Sequence, residues 1–246
     1  DSLKSLGIAI NVIGDNGQNP LHTIAKRNND IDIFSFFIKE GVDINLQDNE
    51  GVSPFMNAAN SNDLRIVEFL INHVKNINIK NKNGQSALSM AINNNSSKVI
   101  DFLLSKGCDI HLKDTNENTL AYYLVNTFKK NDEISFEEKL KILIKRGLLM
   151  NQKQNGGNSL IHIAARKNSI DLLKRLLPYG IDINAKNNDG YTALHIAAMR
   201  SDNEDLLRYL LSQGADKKIK TEFEETAFSL ALENELLQKK NIKFLE

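Results

Sequence analysis

The chain has 246 residues, of which 41% are apolar and 25% charged, a balance typical of a folded protein and not of a disordered one. Its 31 basic and 31 acidic side chains cancel, which argues against a general nucleic-acid or anionic-membrane binder, because either needs a basic excess. The single cysteine, Cys108, excludes an internal disulfide. No apolar run reaches the roughly 18 residues that span a bilayer.

One sequence frame recurs along the chain. The segments NGQNPLHTIA, EGVSPFMNAA, NGQSALSMAI, GGNSLIHIAA and DGYTALHIAA align on a glycine. With two weaker copies, ENTLAYYLV and EETAFSLAL, neighbouring copies lie 33 to 40 residues apart. The anchor positions are Gly17, Gly51, Gly84, Gly157, Gly190 and, in two weaker copies, Glu117 and Glu224. A period of this length predicts a solenoid of stacked repeats.

A short first helix is predicted directly after each anchor. Two residues past every anchor is a side chain that can cap a helix: Asn19, Ser53, Ser86, Thr119, Ser159, Thr192 and Thr226. Such a cap stabilises a helix start by about 1 kcal/mol. Pro20 and Pro54 follow at the first helical position, where a missing N–H costs nothing.

A longer, amphipathic second helix is predicted next, as in SKVIDFLLSKG and EDLLRYLLSQG, with apolar residues at helical spacing. Glycines close most of these helices: Gly41, Gly107, Gly147, Gly180 and Gly214. In the second repeat Val74 takes this place. A β-branched residue resists positive φ, so we expect that helix to end at His73 or to use a different turn.

These residues resemble the ankyrin repeat, whose frame is D-x-x-G-x-T-P-L-H-x-A-A followed by G-A-D-I-N. PLHTIA, TALHIAA and GIDINAKNNDG match it closely, and the resemblance covers essentially the whole chain. It implies an all-α solenoid of stacked helix-turn-helix units with β-hairpin or turn fingers. We expect a single domain, 1–246, with a half repeat over 1–13, repeats at about 14–47, 48–80, 81–113, 114–153, 154–186 and 187–220, and a C-terminal capping repeat over 221–246.

Three departures from the frame carry further expectations. Residues 1–13 match only the end of a repeat, which favours the C-terminal portion of a longer array over an atypical cap. About seven extra residues near 126–138 form a loop extension or, alternatively, a docking element, and Ser135 with Glu138 predicts a capping box that begins the second helix. The last repeat is expected to end in a short, lysine-rich second helix, and this tail resembles those of bacterial ankyrin proteins, some of them exported.

Catalytic and metal-binding motifs are absent from the sequence. There is no CxxC, HExxH, GxxxxGK[ST] or GxGxxG pattern, and His73 and His111 lack a metal-type partner at i+4. The resemblance implies that His22, His162 and His195 tie each turn to its helix start by hydrogen bonds. The sequence therefore predicts a non-enzymatic protein with no cofactor and no metal.

The resemblance implies that partners meet the finger tips and the exposed ends of the first helices. In the middle repeats these positions hold mostly small or amide side chains: Asn49, Glu50, Val52, Asn60, Ser61, Lys82, Asn83, Gln85, Asn93 and Asn94. In the C-terminal repeats they hold the residues that we call the C-terminal patch: Arg166, Lys167, Asp189, Tyr191, Met199, Arg200 and Phe223.

Tyr, Met, Phe and Arg are enriched at the energetic centres of interfaces, so we expect Tyr191, Met199, Arg200 and Phe223 to be the centre of a binding surface. The alternative is that Met199 and Phe223 pack between the sixth and seventh repeats. A second, weaker candidate surface consists of Lys26 and Arg27.

The sequence thus favours a scaffold or adaptor that binds a protein partner. The alternative is the targeting segment of a larger enzyme or bacterial effector, with a catalytic domain outside this chain. A small-molecule or nucleic-acid binder is disfavoured. We expect a monomer without membrane insertion, either cytoplasmic or, if a signal lies upstream of Asp1, exported or periplasmic.

Overall fold

A computed structural model describes residues 10–27, 30–61, 63–94, 96–129, 132–238 and 240–246. These residues form pairs of α-helices joined by turns, and they contain no β-strand. The predicted all-α architecture is confirmed, and the fingers are turns. Within the described residues, no helix is long and apolar enough to span a membrane.

The helices alternate between first and second members of each repeat. They are α1 (Pro20–Arg27), α2 (Ile31–Lys39), α3 (Pro54–Ser61), α4 (Leu64–Leu70), α5 (Ala87–Asn94), α6 (Ser97–Ser105), α7 (Leu120–Thr127), α8 (Glu133–Lys145), α9 (Leu160–Arg166), α10 (Ile170–Leu176), α11 (Ala193–Arg200), α12 (Asp205–Ser212) and α13 (Ala227–Glu233). Short 3₁₀ turns span Ile71–His73, Asn155–Gly157, Leu177–Tyr179 and Lys243–Leu245.

The chain divides into two compact units. The first comprises Asp1–Leu124 and Asp132–Leu148, and the second comprises Val125–Asn131 and Leu149–Glu246. In the first unit α1, α3 and α5 pack in succession, and in the second unit α9, α11 and α13 do the same. Small buried residues such as Ala59 and Ala198 let these first helices approach closely.

Neighbouring fingers are joined by backbone hydrogen bonds. Within each unit, an amide N–H at the tip of one finger donates to a carbonyl of the preceding finger. The donor and acceptor pairs of the first unit are Asn49 to Asn16, Lys82 to Glu50 and Thr115 to Asn83, and those of the second are Asn188 to Gly156 and Glu222 to Asp189, at 2.9–3.0 Å.

The anchor positions have positive φ, which explains the recurring glycine. Gly84 has φ 75°, and the two non-glycine anchors, Glu117 and Glu224, both have φ 59° as the repeat frame requires. Close packing adds a second constraint, because a Cβ on Gly84 would lie 2.5 Å from the amide nitrogen of Thr115 in the next finger. At the helix-closing Gly107 the φ is similar, but nothing lies within 4 Å.

The second repeat ends its helix as predicted. The 3₁₀ turn Ile71–His73 follows α4, and Val74 has extended backbone at φ −88° and ψ 127°. The β-branched residue therefore avoids the left-handed conformation that a glycine takes elsewhere.

The predicted capping box of the fourth repeat is wrong. Helix α8 begins at Glu133, so Ser135 lies inside its first turn, and Asp132 is the N-cap residue. The helix has 13 residues where the other second helices have 7 to 9, so the extra residues are shared between the connection and the helix. The Glu138 carboxylate instead accepts a hydrogen bond from the Ser97 hydroxyl at 2.8 Å, which joins α8 to α6.

The predicted lysine-rich second helix of the last repeat is also wrong for the described residues. After α13 the chain turns at Asn234, whose side-chain amide donates to the carbonyls of Ala198 and Ser201 at 3.0 and 2.9 Å. The tail then folds back, and the Phe244 ring lies 4.0 Å from the guanidinium carbon of Arg208. The cation–π contact between Arg208 and Phe244 and the buried side chain of Leu245 thus take the place of a packed second helix.

Candidate protein-binding surface

His22, His162 and His195, which we call the capping histidines, are 0–1% exposed. In His162, Nδ1 accepts from the Ser159 backbone N–H at 3.0 Å, and Nε2 donates to the Tyr191 carbonyl of the next repeat at 2.9 Å. His22 makes the same two contacts, with the Asn19 backbone N–H and the Val52 carbonyl of the next repeat. His195 accepts from the Thr192 backbone N–H, but its Nε2 donates to the Ile219 carbonyl within its own repeat. Burial lowers the pKa of all three, so they are neutral at pH 7 and carry the structural role that the sequence predicted.

The described residues contain no group of three or more His, Cys, Asp or Glu side chains placed to hold a metal ion. Cys108 is buried, and burial raises the pKa of its thiol to about 12. The thiol is therefore protonated and a poor nucleophile.

Tyr191 is held in place at the finger that precedes α11. Its hydroxyl donates to the Glu225 carboxylate at 3.3 Å, and its ring meets the His195 ring edge to face at 6.1 Å. Burial raises the pKa of Tyr191, and the Glu225 charge raises it further. The half-buried ring is thus held by contacts within the second unit.

Phe223 lies at the tip of the last finger with its side chain 67% exposed, so it does not pack between the sixth and seventh repeats. Its backbone N–H donates to the Thr221 hydroxyl at 3.2 Å. The adjacent Glu222 N–H donates to the Asp189 carbonyl at 3.0 Å, which brings this tip beside the finger that carries Tyr191. Met199, at the end of α11, is 38% exposed.

The basic members of the C-terminal patch end the first helices. Arg166 and Arg200 are the exposed last residues of α9 and α11. Lys167 follows α9 and lines a groove of about 630 Å³ formed with Phe128, Lys174 and Leu206. Burial lowers the pKa of Lys167. Sequence reasoning missed this groove, and the only signal for it was the insertion, which supplies Phe128.

The corresponding surface of the middle repeats is polar. Asn94 donates through its side-chain amide to the Asn60 side-chain oxygen at 2.9 Å, so these amides pair with one another across repeats. Lys82 and Asn83 are exposed at a finger tip, and Lys26 and Arg27 are exposed at the end of α1. Exposed aromatic and thioether side chains at these frame positions thus occur in the second unit, at Phe223 and Met199.

A family model described as ankyrin repeats (3 copies) matches residues 2–73, 21–114 and 130–243. Among solved structures, the human ASB11 ankyrin repeat domain is similar with a TM-score of 0.73 and 21% identity, over 90% of this chain and 96% of that one. A chain in the complex of the predatory endopeptidase Bd0816 from Bdellovibrio bacteriovorus with the immunity protein Bd3460 gives a TM-score of 0.65 and 27% identity, over 80% and 98%. No curated protein matches.

Ankyrin repeats generally mediate protein–protein interaction, and domains built from them are typically non-catalytic binding modules. The family matches extend over most of this sequence, and the fingers, capping residues and paired helices described above follow the same frame. The chain therefore belongs to the ankyrin-repeat family.

Proposed function

We propose that this chain is a non-enzymatic scaffold or adaptor that binds a protein partner through its finger tips and the ends of its first helices. The centre of the contact surface is formed by Tyr191, Met199, Arg200 and Phe223. The observation that carries this proposal is the 67% exposure of Phe223 at a finger tip, beside the finger that carries Tyr191.

The energetics favour these side chains as anchors. An exposed phenylalanine leaves water when a partner covers it, and full burial of such a side chain contributes about 1.5–3 kcal/mol. Tyr191 is already oriented by Glu225 and His195, so little conformational entropy is lost when it is covered. Arg200 adds a planar cation that can form paired hydrogen bonds with a carboxylate.

The comparison with the Bd0816–Bd3460 complex supports a protein as the class of partner, since a chain of similar fold occurs there in a complex between two proteins.

The test is partner capture from native lysate, followed by a measured Kd with the purified partner. The variant Tyr191→Ala/Arg200→Ala/Phe223→Ala is compared with wild type. We expect at least a tenfold loss of affinity, which corresponds to about 1.4 kcal/mol.

A matched control is available in the first unit. Val52, Ser61 and Asn83 occupy the same frame positions, and the variant Val52→Ala/Ser61→Ala/Asn83→Ala should bind as wild type does. If both triple variants keep full affinity, the C-terminal patch is not the site. Phe223→Ala alone should leave the melting temperature almost unchanged, because the residue is 67% exposed.

A further inference from the structure

Lysines form a row along the fingers of the second unit. Lys153 Nζ donates to the Lys186 carbonyl at 3.1 Å, and Lys186 Nζ donates to the Lys220 carbonyl at 2.9 Å. Lys220 Nζ then pairs with the Glu224 carboxylate at 2.7 Å. Each lysine stands four residues before an anchor and is exposed. An ammonium has three N–H donors, so a single carbonyl bond fixes the charge in place and leaves donors for a partner.

The basic row flanks the C-terminal patch. Burial lowers the pKa of His162, the bond to the Tyr191 carbonyl raises it, and the charges of Arg166 and Lys153 lower it further. Arg166 ends α9 and Lys153 lies on the finger that precedes this helix, so both charges lie within electrostatic reach of the His162 ring. Both side chains are exposed, so they present positive charge to solvent together.

The other end of the patch is acidic. Burial raises the pKa of Tyr191, and the charges of Glu225, Asp189 and Glu233 raise it further. Asp189 and Glu222 are exposed at adjacent finger tips that share a backbone hydrogen bond. Glu222 and Glu225 thus place negative charge on the last finger, two fingers beyond the one that carries Lys153, whereas Lys186 and Asp189 share the finger between them.

Charges of both signs lie near His195. Burial lowers its pKa and backbone hydrogen bonds raise it, while Lys186 lowers it and Glu225 raises it. Lys186 and Glu225 therefore both lie within electrostatic reach of this buried ring. Since the whole chain has a formal charge of zero, this polarity is a local arrangement and not a consequence of net charge.

We infer that the protein partner presents an acidic segment to Lys153, Arg166 and Lys186 and a basic segment to Glu222 and Glu225 of the last finger, so that it docks in one direction along the second unit. Lys220 on that finger is already paired with Glu224. This inference rests on the proposed function of the C-terminal patch and adds the charge and the polarity of the partner. Complementary charge steers encounter and fixes register, and like charges brought together oppose the reversed orientation.

The matched variants follow from the chain itself. In the first unit Gln47 stands at the same frame position, and its side-chain amide donates to the Lys80 carbonyl at 3.0 Å. Glutamine therefore keeps the carbonyl bond and removes the charge. Lys153→Gln/Lys186→Gln is the test variant, and Lys80→Gln/Lys113→Gln is the control, because Lys80 Nζ donates to the Lys113 carbonyl at 2.7 Å in the same way.

The probe is a random 16-residue peptide library displayed on phage and selected against wild-type protein. Selected peptides are synthesised, and their affinities are measured by fluorescence polarisation at low and high salt. We expect an acidic half and a basic half in a constant order, roughly threefold to tenfold weaker binding to the test variant, no change with the control, and weakening as salt rises. A peptide with its two charged halves exchanged should bind more weakly than the selected one.

The outcomes separate the two proposals. Peptides that need Phe223 but show no charge order, or bind the test variant as well as wild type, overturn the polarity and leave the binding patch intact. Peptides that bind the Phe223→Ala and lysine variants equally well overturn both. Circular dichroism at 222 nm confirms that each variant is folded.

Discussion

The packing of neighbouring fingers can be tested with one pair of glycines in the first unit. Gly84 and Gly107 both have positive φ, 75° and 89°, so alanine pays a similar conformational penalty of about 1–2 kcal/mol at each. They differ in surroundings. A Cβ at Gly107 meets nothing within 4 Å, whereas a Cβ at Gly84 would lie 2.5 Å from the Thr115 amide nitrogen.

The added methyl group at Gly84 must displace the next finger. That shift weakens the hydrogen bond from the Thr115 N–H to the Asn83 carbonyl at 3.0 Å, which contributes about 1 kcal/mol, and it loosens the packing between the two fingers. We therefore expect Gly107→Ala to lower the free energy of unfolding by about 1–2 kcal/mol and Gly84→Ala by about 3–4 kcal/mol.

Urea denaturation followed by circular dichroism at 222 nm gives both values, and unchanged slopes would show that the unfolded state is the same. Because both glycines belong to one compact unit, the same transition reports on both. Equal losses for the two variants would contradict the close contact between fingers and leave backbone conformation as the sole reason for the anchor glycine.

Two further predictions concern buried titratable groups. In the folded protein the capping histidines have pKa values below the unfolded value of 6.5, so their contribution to stability is fully present above pH 6.5. It is lost as the pH falls from 6.5 toward the folded pKa values, at up to about 1.4 kcal/mol per pH unit for each histidine. A urea midpoint that is equal at pH 7.5 and 5.5 would refute this. Lys139 is 7% exposed, its ammonium donates to the Ile92 carbonyl at 3.2 Å, and burial lowers its pKa. Lys139→Met should keep or raise the free energy of unfolding, because methionine retains the packed side-chain stem and removes a desolvated charge. Lys139→Ala should lower the free energy of unfolding by about 2 kcal/mol, because it removes the stem and leaves a cavity. A loss above about 1 kcal/mol with methionine would show that the hydrogen bond to the Ile92 carbonyl outweighs the cost of desolvation.

The elements that could be predicted from the sequence are those governed by local conformation. The repeat frame and its period assign Glu117 and Glu224 to anchors, and both adopt positive φ. The helix that ends at His73 followed from the stiffness of Val74. In each of these places the backbone is restricted by the residue itself or by its position in the frame.

What the sequence missed depends on contacts between distant residues. Ser135 and Glu138 have the spacing of a capping box, yet the partner of Glu138 is Ser97, a residue of another repeat. The tail folds back because Phe244 finds Arg208, which no local pattern indicates. The repeat frame predicts the positions of the C-terminal patch, whereas the contacts of Tyr191 with Glu225 and His195 depend on the fold.

The hydrogen bonds between neighbouring repeats run in both directions along the chain, and this affects how single repeats can unfold. Backbone amides donate to the preceding finger. In the other direction, His22, His162, Lys153 and Lys186 donate to carbonyls of the following repeat. Releasing one finger therefore strips a buried imidazole of its acceptor in the repeat before it. Opening by single repeats is costly, and amide hydrogen exchange in each unit should be slowed in blocks that extend over neighbouring fingers, with the Asn188 and Glu222 amides exchanging together.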